Sequence, residues 1–319
     1  MKTYITEAKG IKTTYEFISS GTLPADLPVS TPLTFAFIGK HLVLTKKKNG
    51  WWDVLGGKLE KGETWVEGLK RQALEEAGVG IDYISVVGYI MATNNGKHIS
   101  PVTISFVQEV KKEWSKREAL GREQFSRKWA KKALLDRGDS GQQAEIFDYV
   151  VSYYDNQEYD YIYEYTEGNT PLANIQNTGS MVFVKTPNKN FLIVRDFDED
   201  FFSLPGGGCD MDEEGKECAI REVREEAQVE VENIQLIGNV VVKVSKNGQL
   251  LSVSGQQRYL ADALEVPDFV VNPHNFDERC YETVERKEVP FESLSEEVKL
   301  LNNKTGETTL SSLQRVLRT

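Results

Sequence analysis

The chain has 319 residues, 39% hydrophobic and 10% aromatic, which suits two domains of about 150 residues that each bury a core. Its formal charge of −11 argues against broad nucleic-acid binding, although divalent cations would let an acidic site accept an anionic substrate. No apolar run approaches the roughly 18 residues of a membrane span, and Met1 to Lys9 form no apolar leader. Cys209, Cys218 and Cys280 suggest no disulfide framework, so a cytoplasmic setting is expected.

Tyr15-Glu16-Phe17 opens the pattern in chain order. β-branched and aromatic residues bounded by Gly, Asn and Pro then predict hairpin strands over 31–38 and 41–45. The glycine loop Leu55-Gly56-Gly57-Lys58-Leu59 leads into a helix over 65–77, with Val66, Leu69, Ala73, Leu74 and Ala77 at helical spacing. Strands are predicted over 83–91 and 102–110. Lys111 to Arg137 carry a net charge of +6, read as a solvated helix with snorkelling stems rather than a flap over phosphates. A helical run over 144–154 closes the first half, and a short connection near 156–161 divides domains 1–157 and 158–319.

The pattern then returns. Tyr163-Glu164-Tyr165 precedes strands over 178–184 and 190–195, the loop Leu204-Pro205-Gly206-Gly207-Gly208 and a helix over 217–227. Strands follow over 234–244 and 257–264. Strand, glycine loop, helix and strand in each half imply an α/β fold with a mixed sheet flanked by helices.

The repeat is closest around one acidic box. Gly57, Glu63, Arg71, Gln72, Ala73, Glu75, Glu76, Gly78 and Val79 recur as Gly207, Glu213, Arg221, Glu222, Val223, Glu225, Glu226, Gln228 and Val229, all 150 positions later. Glu222, Glu225 and Glu226 fall on one face of a helix, where three carboxylates repel each other unless cations intervene. Mg²⁺, or Mn²⁺ in its place, suits such a set of hard oxygen donors. Arg221 is placed to grip Glu213 through a forked bond, closing loop onto helix. Gly206, Gly207 and Gly208, like Gly56 and Gly57, let backbone turn sharply against a phosphate.

These residues resemble the Nudix hydrolase box. The resemblance implies two Nudix-type α/β/α sandwich domains and Mg²⁺-dependent hydrolysis of a nucleoside diphosphate linked to another group. The box at 207–229 departs from the family only at Gln228, where a glycine would relieve a left-handed helix cap. The box at 57–79 departs at Gln72, a neutral amide in place of a glutamate. The C-terminal copy is therefore expected to be catalytic through Glu222, Glu225, Glu226, Arg221 and Glu213. Glu75 and Glu76 are expected to form a weaker second metal site in an impaired N-terminal copy.

Glu222 or a glutamate from a later loop would take the proton from water. Glu282 and Glu285 are candidates for the extra carboxylate, with Glu118 and Glu123 their counterparts. Phe202 and Trp52 are candidates for stacking a base, against core packing for each pair with Phe201 and Trp51. Markers that the resemblance associates with ADP-ribose, dinucleoside polyphosphate and coenzyme A substrates are absent. A nucleoside triphosphate or modified nucleotide remains, with no membrane partner, with net acidity against RNA-end trimming as a third reading, and with a homodimer as one option. The alternative is a nucleotide-sensing module with weak or no turnover. Cys209 and Cys218 are read as small buried hydrophobes.

Overall fold

A computed structural model describes residues 3–8, 10–94, 96–114, 119–136, 142–196, 199–271 and 283–318. The chain divides into two compact units. The first comprises Met1–Asp160 with Val244–Ser252, and the second comprises Tyr161–Lys243 with Val253–Thr319.

The elements of the first half are β1 (Thr3–Ala8), β2 (Ile11–Ser19), β3 (Leu33–Ile38), β4 (His41–Lys47), β5 (Trp52–Asp53), β6 (Leu55–Gly56), α1 (Trp65–Ala77), β7 (Val79–Thr93), β8 (Lys97–Val110), β9 (Ala119–Phe125), α2 (Arg127–Leu135) and α3 (Gln142–Asp155). The sheet order is β1-β2-β7-β8-β3-β4-β5, with β6 paired to β3 and β9 to β4. The β3–β8 pair is parallel within an otherwise antiparallel ladder, so the sheet is mixed, as the repeat pattern implies.

The second half repeats this plan. Its elements are β10 (Asp160–Glu167), β11 (Asn177–Lys185), β12 (Phe191–Asp196), β13 (Gly206–Gly207), α4 (Gly215–Glu222), β14 (Val231–Lys246), β15 (Gln249–Ala263), β16 (Thr283–Val289), α5 (Leu294–Glu297) and α6 (Lys304–Leu317). The order is β10-β14-β15-β11-β12-β16, with β13 on β11 and a parallel β11–β15 pair. Val182, Val184, Tyr259 and Ala261 send side chains to one face, against Ala219 and Val223. Phe183, Phe191, Ile193 and Leu260 meet Leu294, Leu301 and Leu313 on the other. Alternation along buried strands thus gives one sheet two apolar faces.

Helix α1 spans the predicted residues. Thr64 and Glu67 form a capping box at its start, and Gly78 takes the left-handed cap at φ 60°. The second helix differs from its prediction. After Glu222 the chain continues as a π-helical turn, Val223–Ala227, so Glu225 and Glu226 do not lie on a simple α-helical face. Such single-turn widenings favour functional positions. Gln228 adopts φ 55°, the conformation expected there. Its amide donates to Val270 O at 2.8 Å and accepts from Val270 N at 3.1 Å. Those bonds offset part of the left-handed cost of about 1 kcal/mol.

The long hairpin strands extend beyond the predicted cores, because Asn247 and Gly248 both take positive φ and close a tight turn between β14 and β15. No described helix is long and apolar enough to cross a membrane.

Gly56 and Gly206 adopt φ 147° and 152° where the loop meets β3 and β11, and a Cβ on either would lie 2.3 Å from a backbone carbonyl. Gly206→Ala is expected to lower the unfolding free energy by at least about 1–3 kcal/mol, from conformational strain at a position L-residues avoid. Denaturant melts of the variant and the parent check this.

Candidate functional site

Each box is organised around its arginine. Arg221 Nε donates to Glu213 Oε1 at 2.9 Å and Nη2 to Glu213 Oε2 at 2.8 Å, the forked bond expected from sequence. The same guanidinium reaches Glu222 Oε1 at 2.6 Å, Glu225 Oε2 at 2.9 Å and Gly208 O at 3.0 Å. One cation thus ties the loop to the helix. Burial opposes the charge on Arg221, but the bond to Glu213 and the field of Glu222 outweigh it and raise its pKa.

Glu222 and Glu226 lie beneath the glycine loop. A Cβ on Gly207 would stand 2.6 Å from Glu222 Oε2, so only glycine admits that approach. Glu226 Oε2 accepts from Gly206 N at 2.8 Å. Burial pushes Glu222 up to about 7, against the pull of Arg221 and with help from Glu225 and Glu213. Glu226 rises well above the ordinary carboxylate range through burial, with Glu222, Asp196 and Glu225 adding repulsion. Arg221 therefore bonds Glu213, Glu222 and Glu225, while Glu226 is held by Gly206 N and repelled by its neighbouring acids. A hard divalent cation would relieve the burial and repulsion that raise Glu222 and Glu226, so these residues fit Mg²⁺ or Mn²⁺.

The first copy has the same frame. Arg71 Nε and Nη2 hold Glu63 at 2.8 Å each, and Nη1 reaches Glu75 at 3.0 Å. The bond from Arg71 holds Glu63 down at about 2, with Glu60 N–H also donating to it. Gln72 occupies the seat of Glu222: a Cβ on Gly57 would lie 2.6 Å from its amide carbon. Glu76 accepts from Gly56 N at 3.3 Å and forms an ion pair with Lys47.

The remaining candidates separate. Glu285 is held by Arg195 Nη2 at 2.8 Å. Glu123 is buried, and its carboxylate accepts from Gln124 N at 2.7 Å. Glu282 and Glu118 lie outside the described residues. Phe202 is half-buried with Lys287 Nζ 4.1 Å from its ring centre, and it packs against the Phe183–Leu313 cluster. Trp52 meets Phe125 edge to face at 4.9 Å. Phe201 faces Lys299, and Trp51 is 44% exposed.

Two features escaped the sequence reading. Asp196, whose charge repels Glu226, and Lys47, ion-paired with Glu76, lie on strands outside the box. Arg122 and Arg286 donate to Ala77 O and Ala227 O, the carbonyls at the ends of the two box helices. Aligning the strands of the two halves would have drawn attention to both pairs.

One expectation is overturned. Cys209 and Cys218 form a disulfide with Cα atoms 5.2 Å apart. The loop turns back onto the first turn of α4, which brings the two thiols together despite the absence of a CxxC spacing. They are not merely small hydrophobes, and cysteine usage gives no argument for a reducing compartment. Glu213 lies close to both sulfurs, but its carboxylate belongs to the Arg221 fork.

The NUDIX domain model matches residues 34–165 and 176–303. Mouse oxidized purine nucleoside triphosphate hydrolase is 40% identical over 55 residues, a stretch covering 16% of this chain and about a third (35%) of that protein. Among solved structures, the Bacillus subtilis pyrophosphohydrolase BsRppH is 18% identical, with 39% of this chain and 77% of that one covered at a TM-score of 0.33. A C. elegans Ap4A hydrolase binary complex is 18% identical, covering 44% and 96% at 0.32. A MutT protein from Methanosarcina mazei Go1 is also 18% identical, covering 47% and 100% at 0.31.

Two outcomes follow from this geometry. Reducing the disulfide is expected to lower stability by about 2–3 kcal/mol, from the loop closed over a separation of 9 residues. Denaturant melts with and without a phosphine reductant measure it, with Cys218→Ser as the control that no longer responds. Glu63 has a depressed pKa, so its contribution is complete above the unfolded value of 4.5 and is lost as pH falls towards about 2. Acid unfolding of Glu63→Gln should be shallower than the parent's across that window, read by circular dichroism.

Proposed function

The chain belongs to the Nudix family, in two copies, and on that premise we propose that its C-terminal copy hydrolyses the diphosphate linkage of a nucleoside triphosphate or a modified relative. The observation carrying this reading is the cluster of Glu222, Glu225 and Glu226 at the glycine loop, with Arg221 bonded to the first two and Gly206 N to the third. The likeness to mouse oxidized purine nucleoside triphosphate hydrolase supports the substrate class. Residues 1–157 and 158–319 are taken as the two functional copies.

Mg²⁺, or Mn²⁺, held by Glu222, Glu225 and Glu226, would supply charge neutralisation at the diphosphate and activation of water. The chain's own groups then have distinct tasks. Arg221 fixes Glu213, and with it the loop, while spacing Glu222 from Glu225. Gly206, Gly207 and Gly208 let backbone approach the phosphates. Glu222, seated beneath Gly207, is assigned as the carboxylate that takes the proton from water. Glu285, held by Arg195 on the adjacent strand, is the reserve carboxylate. Phe202 is assigned to the base of the nucleotide, with Trp52 its counterpart in the first copy.

The test is Mg²⁺-dependent release of phosphate or pyrophosphate from dNTPs, oxidised dNTPs, nucleotide sugars, ADP-ribose, NADH and dinucleoside polyphosphates. Glu222→Gln and Glu225→Gln are each expected to reduce turnover of the preferred substrate by at least about 10²-fold. Glu75→Gln should cost less than about tenfold, well short of the loss of a proton-transfer group. Equal losses from both copies would defeat the assignment of the C-terminal copy.

A further inference from the structure

The two copies can be aligned through their strand registers, independently of the box. On β4, Thr45 faces Arg122 and Lys47 faces Ala119, with an irregularity between Lys46 and Lys47. On β12, Val194 faces Arg286 and Asp196 faces Thr283, with an irregularity between Arg195 and Asp196. Each second pair lies two residues further along one strand and three back along the other. Lys47 and Asp196 are therefore the same position. Asp196 adds to the repulsion on Glu226, whereas Lys47 Nζ forms an ion pair with Glu76 Oε1.

Glu76 and Glu226 are equivalent by the box, and each accepts from the N–H of the equivalent loop glycine, Gly56 or Gly206. One copy therefore closes this carboxylate with an ammonium, whereas the other sets the charge of a further carboxylate against it. Gln72 for Glu222 removes another negative charge from the same cleft, so the two exchanges shift it by three unit charges. Asp53, opposite Thr45, repels Glu76 where the other copy has Ser203 opposite Val194, returning one charge. Gln72 Oε1 is buried without a hydrogen-bond partner. An amide oxygen can touch a cation but brings no charge to hold it against a neighbouring ammonium.

We propose that Lys47 is a built-in cation: its ammonium occupies Glu76 in place of a divalent ion, so that Mg²⁺ and Mn²⁺ are taken up by the C-terminal copy alone. The weak second metal site expected from Glu75 and Glu76 then does not form. Glu75 stays with Arg71, and Glu76 with Lys47. This proposal rests on the reading that the C-terminal copy takes divalent ions.

The test exchanges the two positions between copies in the full chain and counts bound Mn²⁺ by electron paramagnetic resonance, without nucleotide turnover. Lys47→Asp with Gln72→Glu should add Mn²⁺ beyond the parent's count. Asp196→Lys with Glu222→Gln should remove the parent's tight Mn²⁺. Circular dichroism establishes that each variant is folded. A folded Lys47→Asp/Gln72→Glu chain that gains no ion would overturn the proposal. So would an Asp196→Lys/Glu222→Gln chain that keeps the parent's ions, since these would then sit in the first copy. A parent that binds none while Lys47→Asp/Gln72→Glu binds some would support the inference about Lys47 and defeat the hydrolytic reading of the C-terminal copy.

Discussion

The guanidinium of the box arginine is the constraint on which each copy is built. Arg221 and Arg71 both grip a loop glutamate with two bonds and a loop carbonyl with a third, and both reach a carboxylate one helical turn on. A planar, always-charged fork can hold five donors in fixed directions, which a lysine cannot do. Removing it would leave Glu213 or Glu63 without its charge partner and let the glycine loop leave the helix. The fork survives in the copy that has lost its first helix glutamate. It is therefore a property of the architecture and does not depend on the carboxylate that Gln72 replaces.

That separation explains how the copies diverge while keeping one fold. Gln72 fills the seat of Glu222 with nearly the same volume, so packing against Gly57 is kept while charge is lost. Lys47 and Asp196 sit at a strand end beside the same irregularity in the ladder. The ladder hydrogen bonds there come from the backbone and are indifferent to the side chain. A lysine or an aspartate can therefore be accepted without disturbing the sheet.

Much of this was legible in the chain. Val66, Leu69, Ala73, Leu74 and Ala77 mark the first helix by their spacing, and the duplicated box fixes the loop and its arginine, while the Thr64–Glu67 capping box went unread. The left-handed Gln228 followed from its place after the glutamates. The π-helical turn at Val223–Ala227 was not legible, because its composition is that of an ordinary helix. Helix α6, opened by the Asn303 cap, was not assigned at all, although its cap residue is a recognisable start signal. The Lys47–Glu76 pair and the Arg286 bond to Ala227 O join residues 29 and 59 positions apart. Local patterning carries no record of such partners. The disulfide was missed because spacing rules describe common frameworks, and its two cysteines meet only through the turn of the loop.

That covalent link has a consequence for how the second site meets its ligand. Glu213 lies on a segment whose two ends, Cys209 and Cys218, are bonded to each other. A loop pinned at both ends has few shapes to explore, so little ordering remains to be done when a ligand arrives. In the first copy, residues 59 and 68 hold the corresponding places as Leu59 and Gly68. There the same loop must rely on the fork and its own turns, and it begins from a broader set of shapes.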